Sequence, residues 1–337
     1  MSGTQVSDSL LPTHSSKTLN AIKAPRAVKR ITFDKSDASP GETLYVRVPK
    51  LNEDEVLVPG SLGLRFDIDI SGGHANNYFV QNVSRALVSR MVVKFAGTDL
   101  QDTDGYDLYK IYEDLFLSQE QRDDMVLEGI QNVDLCKIRS GSGDKETSGI
   151  DAENKLTENF GTKYYIWLDP EILTDHGVFY PQALYNDLVF ELTLAGVHHV
   201  VKGTGPTKLK YKLTNIQIEY EMMRSPQLAR EADSKYSSGK VFTYDHVHLE
   251  KTIPFQKGSD SRLNIKVTSQ RRSLKAILLL FTEQYNPGTR DSEKYIFPDL
   301  KKVKVAIKGS PNMLYNKGIV ATDLWREARR YFVREKK

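Results

Sequence analysis

Residues 62–70 read LGLRFDIDI, and an apolar side chain recurs there at every second position. Glycine, arginine and two aspartates occupy the positions between. Because successive side chains of a β-strand point to opposite faces, this period of two places the apolar side chains on one face of an antiparallel sheet. The stretch therefore predicts a strand with one buried face and one solvated face.

Similar patterns continue on both sides of this strand. The apolar phase of residues 211–220 changes near Thr214, which predicts a β-bulge. Many short strands separated by turn residues indicate an all-β sandwich or barrel, with a few short helices between them. Other strands are predicted at 44–48, 86–95, 163–168, 187–194, 240–249, 262–267, 273–281 and 302–308. Helices are predicted at 106–117, 119–127, 225–235 and 323–333, with Thr322 as the cap of the last one.

Composition excludes several classes of protein. With 337 residues, of which 39% are hydrophobic, the chain can build a full core, which excludes wholesale disorder. A single cysteine, Cys136, excludes an intramolecular disulfide framework. No apolar run is long enough for a transmembrane helix, and we expect neither a membrane span nor a secretion signal.

The charge is unevenly distributed along the chain. Residues 240–337 hold 21 Lys and Arg against 10 Asp and Glu, although the net charge of the whole chain is only +3. This asymmetry indicates contacts with surfaces of opposite sign, either nucleic acid or copies of the chain itself. We predict a flexible basic arm at 1–28, a first strand-rich domain at 29–224, a helical connector at 225–239 and a second strand-rich domain at 240–337.

One constellation is suited to metal chemistry. On a strand, His246, His248 and Glu250 would point to the same side and could bind one ion, in a pattern close to that of the cupin enzymes. The spacing of Glu250 departs from the cupin pattern, and no histidine follows His248. A cupin-like metal-dependent enzyme is therefore one alternative function. A second is a carbohydrate-binding jelly-roll module that uses exposed aromatic side chains such as Trp167 or Tyr180.

Two further segments favour binding. Residues 177–181 read GVFYP, a turn whose apolar side chains could pack on a neighbouring subunit. The end of the chain is basic, and such an amphipathic end suits nucleic acid or an acidic subunit surface. Its cationic residues are Arg326, Arg329, Arg330, Arg334, Lys336 and Lys337.

Several degenerate motifs occur in an order found in a known family. Residues 86–98 read ALVSRMVVKFAGT, and Tyr106, Tyr109 and Tyr112 follow on the next predicted helix. Residues 183–194 then read ALYNDLVFELTL, and residues 215–221 read NIQIEYE. Over about residues 80–320 the chain resembles the major capsid proteins of polinton-like and adintovirus-like elements.

The resemblance implies a fold and a function. The fold would be a double jelly roll, two eight-stranded sandwiches side by side. Only 98 residues follow the connector, so we expect the second sandwich to be incomplete. Three chains would form a pseudo-hexagonal capsomer of an icosahedral shell around DNA, with neighbouring capsomers and penton or minor capsid proteins as partners and the virion as location. No catalytic residue, metal or cofactor is implied.

The basic arm would then lie beneath the shell. Lys23, Arg26, Lys29 and Arg30 are the residues that we predict to contact the internal face or packaged DNA.

Overall fold

A computed structural model describes the chain over most of its first two thirds and in shorter pieces beyond. The described residues are 24–71, 78–80, 83–118, 120–121, 125, 164–174, 177–202, 210–249, 264–265, 274–281, 300–306 and 317–332. The described chain consists mainly of β-sheets with a few short helices, which confirms the predicted all-β class.

The described residues form fourteen strands, and eight of them make up a sandwich of two four-stranded layers. The strands are β1 (Arg26–Thr32), β2 (Asp37–Ala38), β3 (Thr43–Arg47), β4 (Glu55–Leu57), β5 (Gly63–Ser71), β6 (Tyr78–Phe79), β7 (Val88–Phe95), β8 (Thr98–Asp104), β9 (Tyr164–Trp167), β10 (Leu188–Leu194), β11 (Val201–Lys202), β12 (Lys210–Arg224), β13 (Lys302–Val303) and β14 (Ile319–Val320). One layer has the order β1-β12-β5-β9, with the short β2 and β4 also paired to β12, and the other has the order β3-β10-β7-β8. All these neighbours are antiparallel.

This strand order is that of a jelly roll. When the eight strands of the two layers are numbered in chain order, one layer reads 1-8-3-6 and the other 2-7-4-5. Two interlocked Greek keys produce this order, because the chain crosses repeatedly from one layer to the other. The first strand-rich block therefore contains a complete set of jelly-roll strands, from β1 to β12.

The core lies between the two layers. Along β10, Leu188, Phe190, Leu192 and Leu194 are buried and the residues between them are half-buried, as the alternation predicts. The predicted bulge in β12 is confirmed, since its register against β5 shifts between residues 214 and 217. The buried positions change there from odd to even, and Asn215 adopts a φ of 52° at the shift. The bulge thus keeps apolar side chains inward along all of β12.

Short helices close the ends and edges of the sandwich. They are α1 (Val83–Ala86), α2 (Tyr106–Asp114), α3 (Glu171–Thr174), α4 (Val197–Val200), α5 (Pro226–Ser237) and α6 (Ala321–Arg330), with a 3-10 turn at Pro181–Ala183. The predicted connector helix is confirmed as α5, where Ser225 Oγ accepts a hydrogen bond from the Leu228 N–H. α5 is the longest helix in the described part of the chain, and none of these helices could cross a bilayer.

The structure differs from the sequence expectation at both ends of the jelly roll. β1 begins at Arg26, so the last three residues of the predicted arm belong to the sandwich. The predicted strand at 240–249 is wrong, because these residues form no ladder. They run beside β8, where the Tyr244 hydroxyl donates to the Leu100 carbonyl oxygen and Thr103 Oγ1 donates to the Val247 carbonyl oxygen. The segment 240–249 therefore covers an edge of the first sandwich.

The last block shows little regular structure in its described residues. Residues 274–281 form no strand, and in the described part of the strand predicted at 302–308, residues 302–306, only β13 forms, paired with β14. The described residues after 240 thus contain one two-stranded ladder and α6 in place of a second sandwich. The predicted cap of α6 is wrong, since the helix begins at Ala321 with Val320 as its N-cap and Thr322 lies in the first turn.

Candidate functional surfaces

The predicted internal-face contacts are part of strand β1, which forms one edge of its layer. Lys23 lies outside the described residues, whereas Arg26, Lys29 and Arg30 are in β1. Every side chain of β1 is exposed except that of Lys29, which is half-buried. Val28 is 60% exposed, so the strand presents both apolar and basic groups at the sheet edge.

The three β1 cations are paired with carboxylates of the same chain. Lys29 Nζ lies 3.1 Å from a carboxylate oxygen of the buried Glu55. Arg30 Nε lies 2.5 Å from Glu219, and Arg26 lies 3.7 Å from Glu221. Burial acts to raise the pKa of Glu55, but hydrogen bonds from Asn52 and the contact with Lys29 outweigh it, so the pKa of Glu55 is lowered. The pairs of Arg30 and Arg26 join β1 to β12, and that of Lys29 joins it to β4; a contact of the three cations with DNA stays a prediction.

The two histidines of the metal hypothesis lie outside the sandwich. His246 and His248 are exposed on the segment beside β8, with ring centroids 6.3 Å apart, and His246 Nε2 lies 3.2 Å from the Asp102 carbonyl oxygen. Glu250 lies outside the described residues. Within the described ranges, no group of three His, Cys, Asp or Glu side chains is placed to hold a metal ion.

The aromatic residues proposed to bind sugar are differently placed. Tyr180 is buried, and its hydroxyl donates to the Glu53 carbonyl oxygen, so it is not a sugar platform. Trp167 is half-buried with its ring against that of Tyr165 at 4.5 Å. The expectation that 177–181 packs on another subunit is also wrong for Phe179, which is buried within the chain.

The jelly-roll interior is filled by side chains. The largest fully buried side chains come from both layers. They include Leu44, Leu64, Phe66, Phe190 and Tyr211. Native cores pack as densely as organic crystals, so these side chains occupy the volume that an internal ligand would need.

A charged cluster lies beneath α2, and sequence reasoning missed it. Lys110 Nζ lies 3.1 Å from Asp169 and 3.0 Å from Glu113. Arg85, from α1, lies 3.5 Å from Asp169 and 3.7 Å from Asp114. The local signals in the sequence are the spacings of Glu113 and Asp114 from Lys110, three and four residues, since Arg85 and Asp169 join the cluster only through the fold.

Burial and ion pairing shift the pKa values of this cluster in opposite directions. Burial of Lys110 opposes its charge, but the neighbouring Asp169 outweighs that effect and raises the pKa of Lys110. Burial raises the pKa of Asp114 to about 6, although Arg85 acts against it. A cavity of about 40 Å³ borders Lys110 and Asp169, which is room for about one water molecule. The cluster thus joins α1, α2 and the turn that follows β9.

The C-terminal helix returns to the first sandwich through aromatic contacts. Phe116, just after α2, stacks on Trp325 at 5.4 Å and on Phe332 at 4.8 Å. Tyr112 of α2 meets Phe332 edge to face at 5.6 Å. These contacts place α6 beside α2, with Arg326, Arg329 and Arg330 exposed.

Comparison with models of protein families finds no match, and comparison with curated proteins finds none. Among solved structures, the chain is similar to a quasi-atomic model of the PBCV-1 virus capsid, with a TM-score of 0.40 and 10% identity over 62% of this chain and 45% of that one. It is similar to the cryo-EM structure of the Sputnik virophage, with a TM-score of 0.40 and 6% identity over 60% and 49%. It is also similar to the mavirus major capsid protein, with a TM-score of 0.33 and 11% identity over 58% and 46%.

The chain spans less than half the length of these three matched chains.

Proposed function

We propose that this chain is a structural subunit of a viral capsid. The observation that carries the proposal is the complete jelly roll of strands β1 to β12, whose interior is filled by its own side chains. Jelly rolls serve mainly as capsid subunits, lectin domains and cupin-type enzymes. Because fold alone does not decide among these three, the residues of each candidate site do.

The geometry gives little support to the hypothesis of a cupin-like metal-dependent enzyme. A cupin metal centre requires ligands that converge within the barrel, and here His246 and His248 lie outside it, beside the edge strand β8. The side chains between the layers are apolar where such a centre would lie. The position of the histidines therefore favours a structural role for this segment.

The hypothesis of a carbohydrate-binding module also has little support from the geometry. A sugar platform needs an exposed aromatic face, and Tyr180 is buried against Glu53 and Tyr236. Trp167 has part of its ring covered by Tyr165. Neither residue presents a fully uncovered aromatic face on which a sugar ring could stack.

Both layers of the sandwich are well suited to a shell. Their outward side chains form ion pairs across strands, such as Arg65 with Glu219 in one layer and Lys94 with Glu191 in the other, which give a polar surface. In the proposed shell, three chains associate into a pseudo-hexagonal capsomer, and capsomers meet neighbours and penton or minor capsid proteins. The virion is then the location of the protein, and Lys23, Arg26, Lys29 and Arg30 face the DNA.

The proposal is tested by measuring the absolute mass of the purified chain in solution, by light scattering after size exclusion, over a range of concentrations. We expect a stable trimer, three times 38.2 kDa, or larger assemblies. In parallel, elemental analysis and a glycan-binding screen examine the alternatives. A chain that stays monomeric at high concentration and carries a stoichiometric metal or binds a glycan would overturn the capsid proposal.

A further inference from the structure

We propose that helix α6 binds a nucleic-acid strand that has unpaired bases. Arg326 and Arg329 contact its phosphates, and Trp325 stacks on one of its bases. This inference goes beyond the capsid role and does not depend on self-assembly, since all the residues that it uses lie on one helix of one chain.

The first step is that α6 is held in place. Trp325 and Phe332 both stack on Phe116, and Phe332 also meets Tyr112 and is itself buried. Stacked and edge-to-face aromatic pairs add specific geometry to the burial of apolar area. The helix is therefore fixed against α2, and the face turned away from α2 has a defined orientation.

The second step is the composition of the solvent-exposed surface of α6. Residues three and four apart lie on the same side of a helix, so Trp325, Arg326, Arg329 and Arg330 form one continuous surface. All four are exposed. Trp325 is 54% exposed although one side of its ring system lies against Phe116, so the remaining exposed part of the indole is open to a ligand.

The third step is the charge around the helix. In the described residues 300–306 and 317–332 there are seven Lys or Arg and two Asp or Glu. Lys302 belongs to β13, which pairs with the strand that leads directly into α6. Asp323 pairs with Arg326 at 3.4 Å, but both side chains are largely exposed, so solvent screens the pair and a phosphate can replace the carboxylate. The surface is therefore strongly basic.

The fourth step is the choice between two kinds of acidic partner. An acidic protein surface would satisfy the arginines but would leave the indole without a partner. A nucleic-acid strand satisfies both, because guanidinium groups bind phosphates and unpaired bases stack on aromatic rings. An exposed tryptophan beside two arginines thus favours nucleic acid with unpaired bases over protein.

The test is the affinity of the full chain for a fluorescent oligothymidylate of about 15 nucleotides, measured by anisotropy over a range of salt concentrations. The variant is R326E/R329E. Its matched control is R230E/K235E, which makes the same charge change at exposed positions of α5. We expect the α6 variant to bind more than about tenfold more weakly, with a salt slope reduced by about 1.4, and the α5 variant to bind nearly as the parent does.

Two further measurements make the test specific. The milder R326Q/R329Q variant, with circular dichroism of each protein, separates lost binding from lost folding. In a Trp167→Phe background Trp325 is the one remaining tryptophan of the chain, and we expect the oligonucleotide to quench its emission. Quenching should be weaker with a duplex of the same length, whose bases are not free to stack.

Three results would overturn the inference. One is equal loss of affinity in the α5 and α6 variants, which would indicate only non-specific charge. Another is unchanged Trp325 emission on binding. The third is unchanged oligonucleotide affinity in the α6 variant together with a change in its mass by light scattering, which would assign the helix to an acidic protein surface. A failure of the capsid proposal would instead leave both variants monomeric like the parent.

Discussion

Replacing Asp114 by asparagine should change how stability depends on pH. The Asp114 side chain is 3% exposed, and its burial raises its pKa from 3.8 to about 6. Because the folded chain holds this proton more tightly than the unfolded chain, the stabilising contribution is complete below pH 3.8 and is lost as the pH rises through about 6. A shift of about two pH units corresponds to about 3 kcal/mol.

The assay is denaturant unfolding of the parent and of Asp114→Asn at about pH 4 and about pH 8. We expect the parent to lose about 2.5 kcal/mol relative to the variant between these two values, because the unfolded carboxyl is already partly ionised at about pH 4. The attraction to Arg85 acts only on the ionised carboxyl and is already included in the pKa of about 6, so the change in the stability difference between the two pH values is the quantity that decides. Equal pH dependence in the two proteins would refute the argument that burial dominates at Asp114.

Asp102 is a control because its pKa is shifted in the opposite direction from that of Asp114. Its hydrogen bond to Arg90 outweighs desolvation and lowers the pKa of Asp102. Its contribution to stability is therefore present above the unfolded pKa and lost as the pH falls through the lower folded value. Asp102→Asn should lose stability relative to the parent at neutral pH, and this deficit should shrink in acid.

Three local features of the sandwich give further predictions. Gly63→Ala should destabilise the chain by about 1–3 kcal/mol, because a Cβ there would overlap the Tyr165 ring; a Tyr165→Ala background should remove most of this cost in a double-mutant cycle. Asn215→Val should cost about 1–2 kcal/mol at its positive φ, whereas Asn215→Gly should unfold near the parent's midpoint. Ser225→Ala should cost about 1 kcal/mol by removing the cap of α5, and Ser225→Asp should retain stability in thermal unfolding; equal midpoints for both would contradict the capping role.

The sequence predicts the sandwich well where one face of a strand is buried. The alternation in β5 and β10 and the phase change in β12 each require only a period of two along one strand, and the structure confirms them. The start of α5 was also visible, because Ser225 and Pro226 are typical of a helix N-terminus.

Other features depend on residues far apart in the chain. The segment 240–249 has the alternation of a strand, but Phe242 and Tyr244 are half-buried against the first sandwich, and side-chain contacts with β8 replace a ladder. The charged cluster under α2 needs Asp169, which lies 59 residues after Lys110. Burial of Tyr180 likewise follows from Tyr236 on α5, which no local pattern near residue 180 indicates.

The most direct test of the capsid account is single-particle electron microscopy of the chain purified under conditions in which it associates. For a capsid subunit we expect three-fold particles with a pseudo-hexagonal outline. Each chain should contribute the β1 to β12 jelly roll, with its layers in the strand orders β1-β12-β5-β9 and β3-β10-β7-β8. Particles of two-fold symmetry, or a monomer in which the histidines beside β8 hold a metal ion, would contradict it.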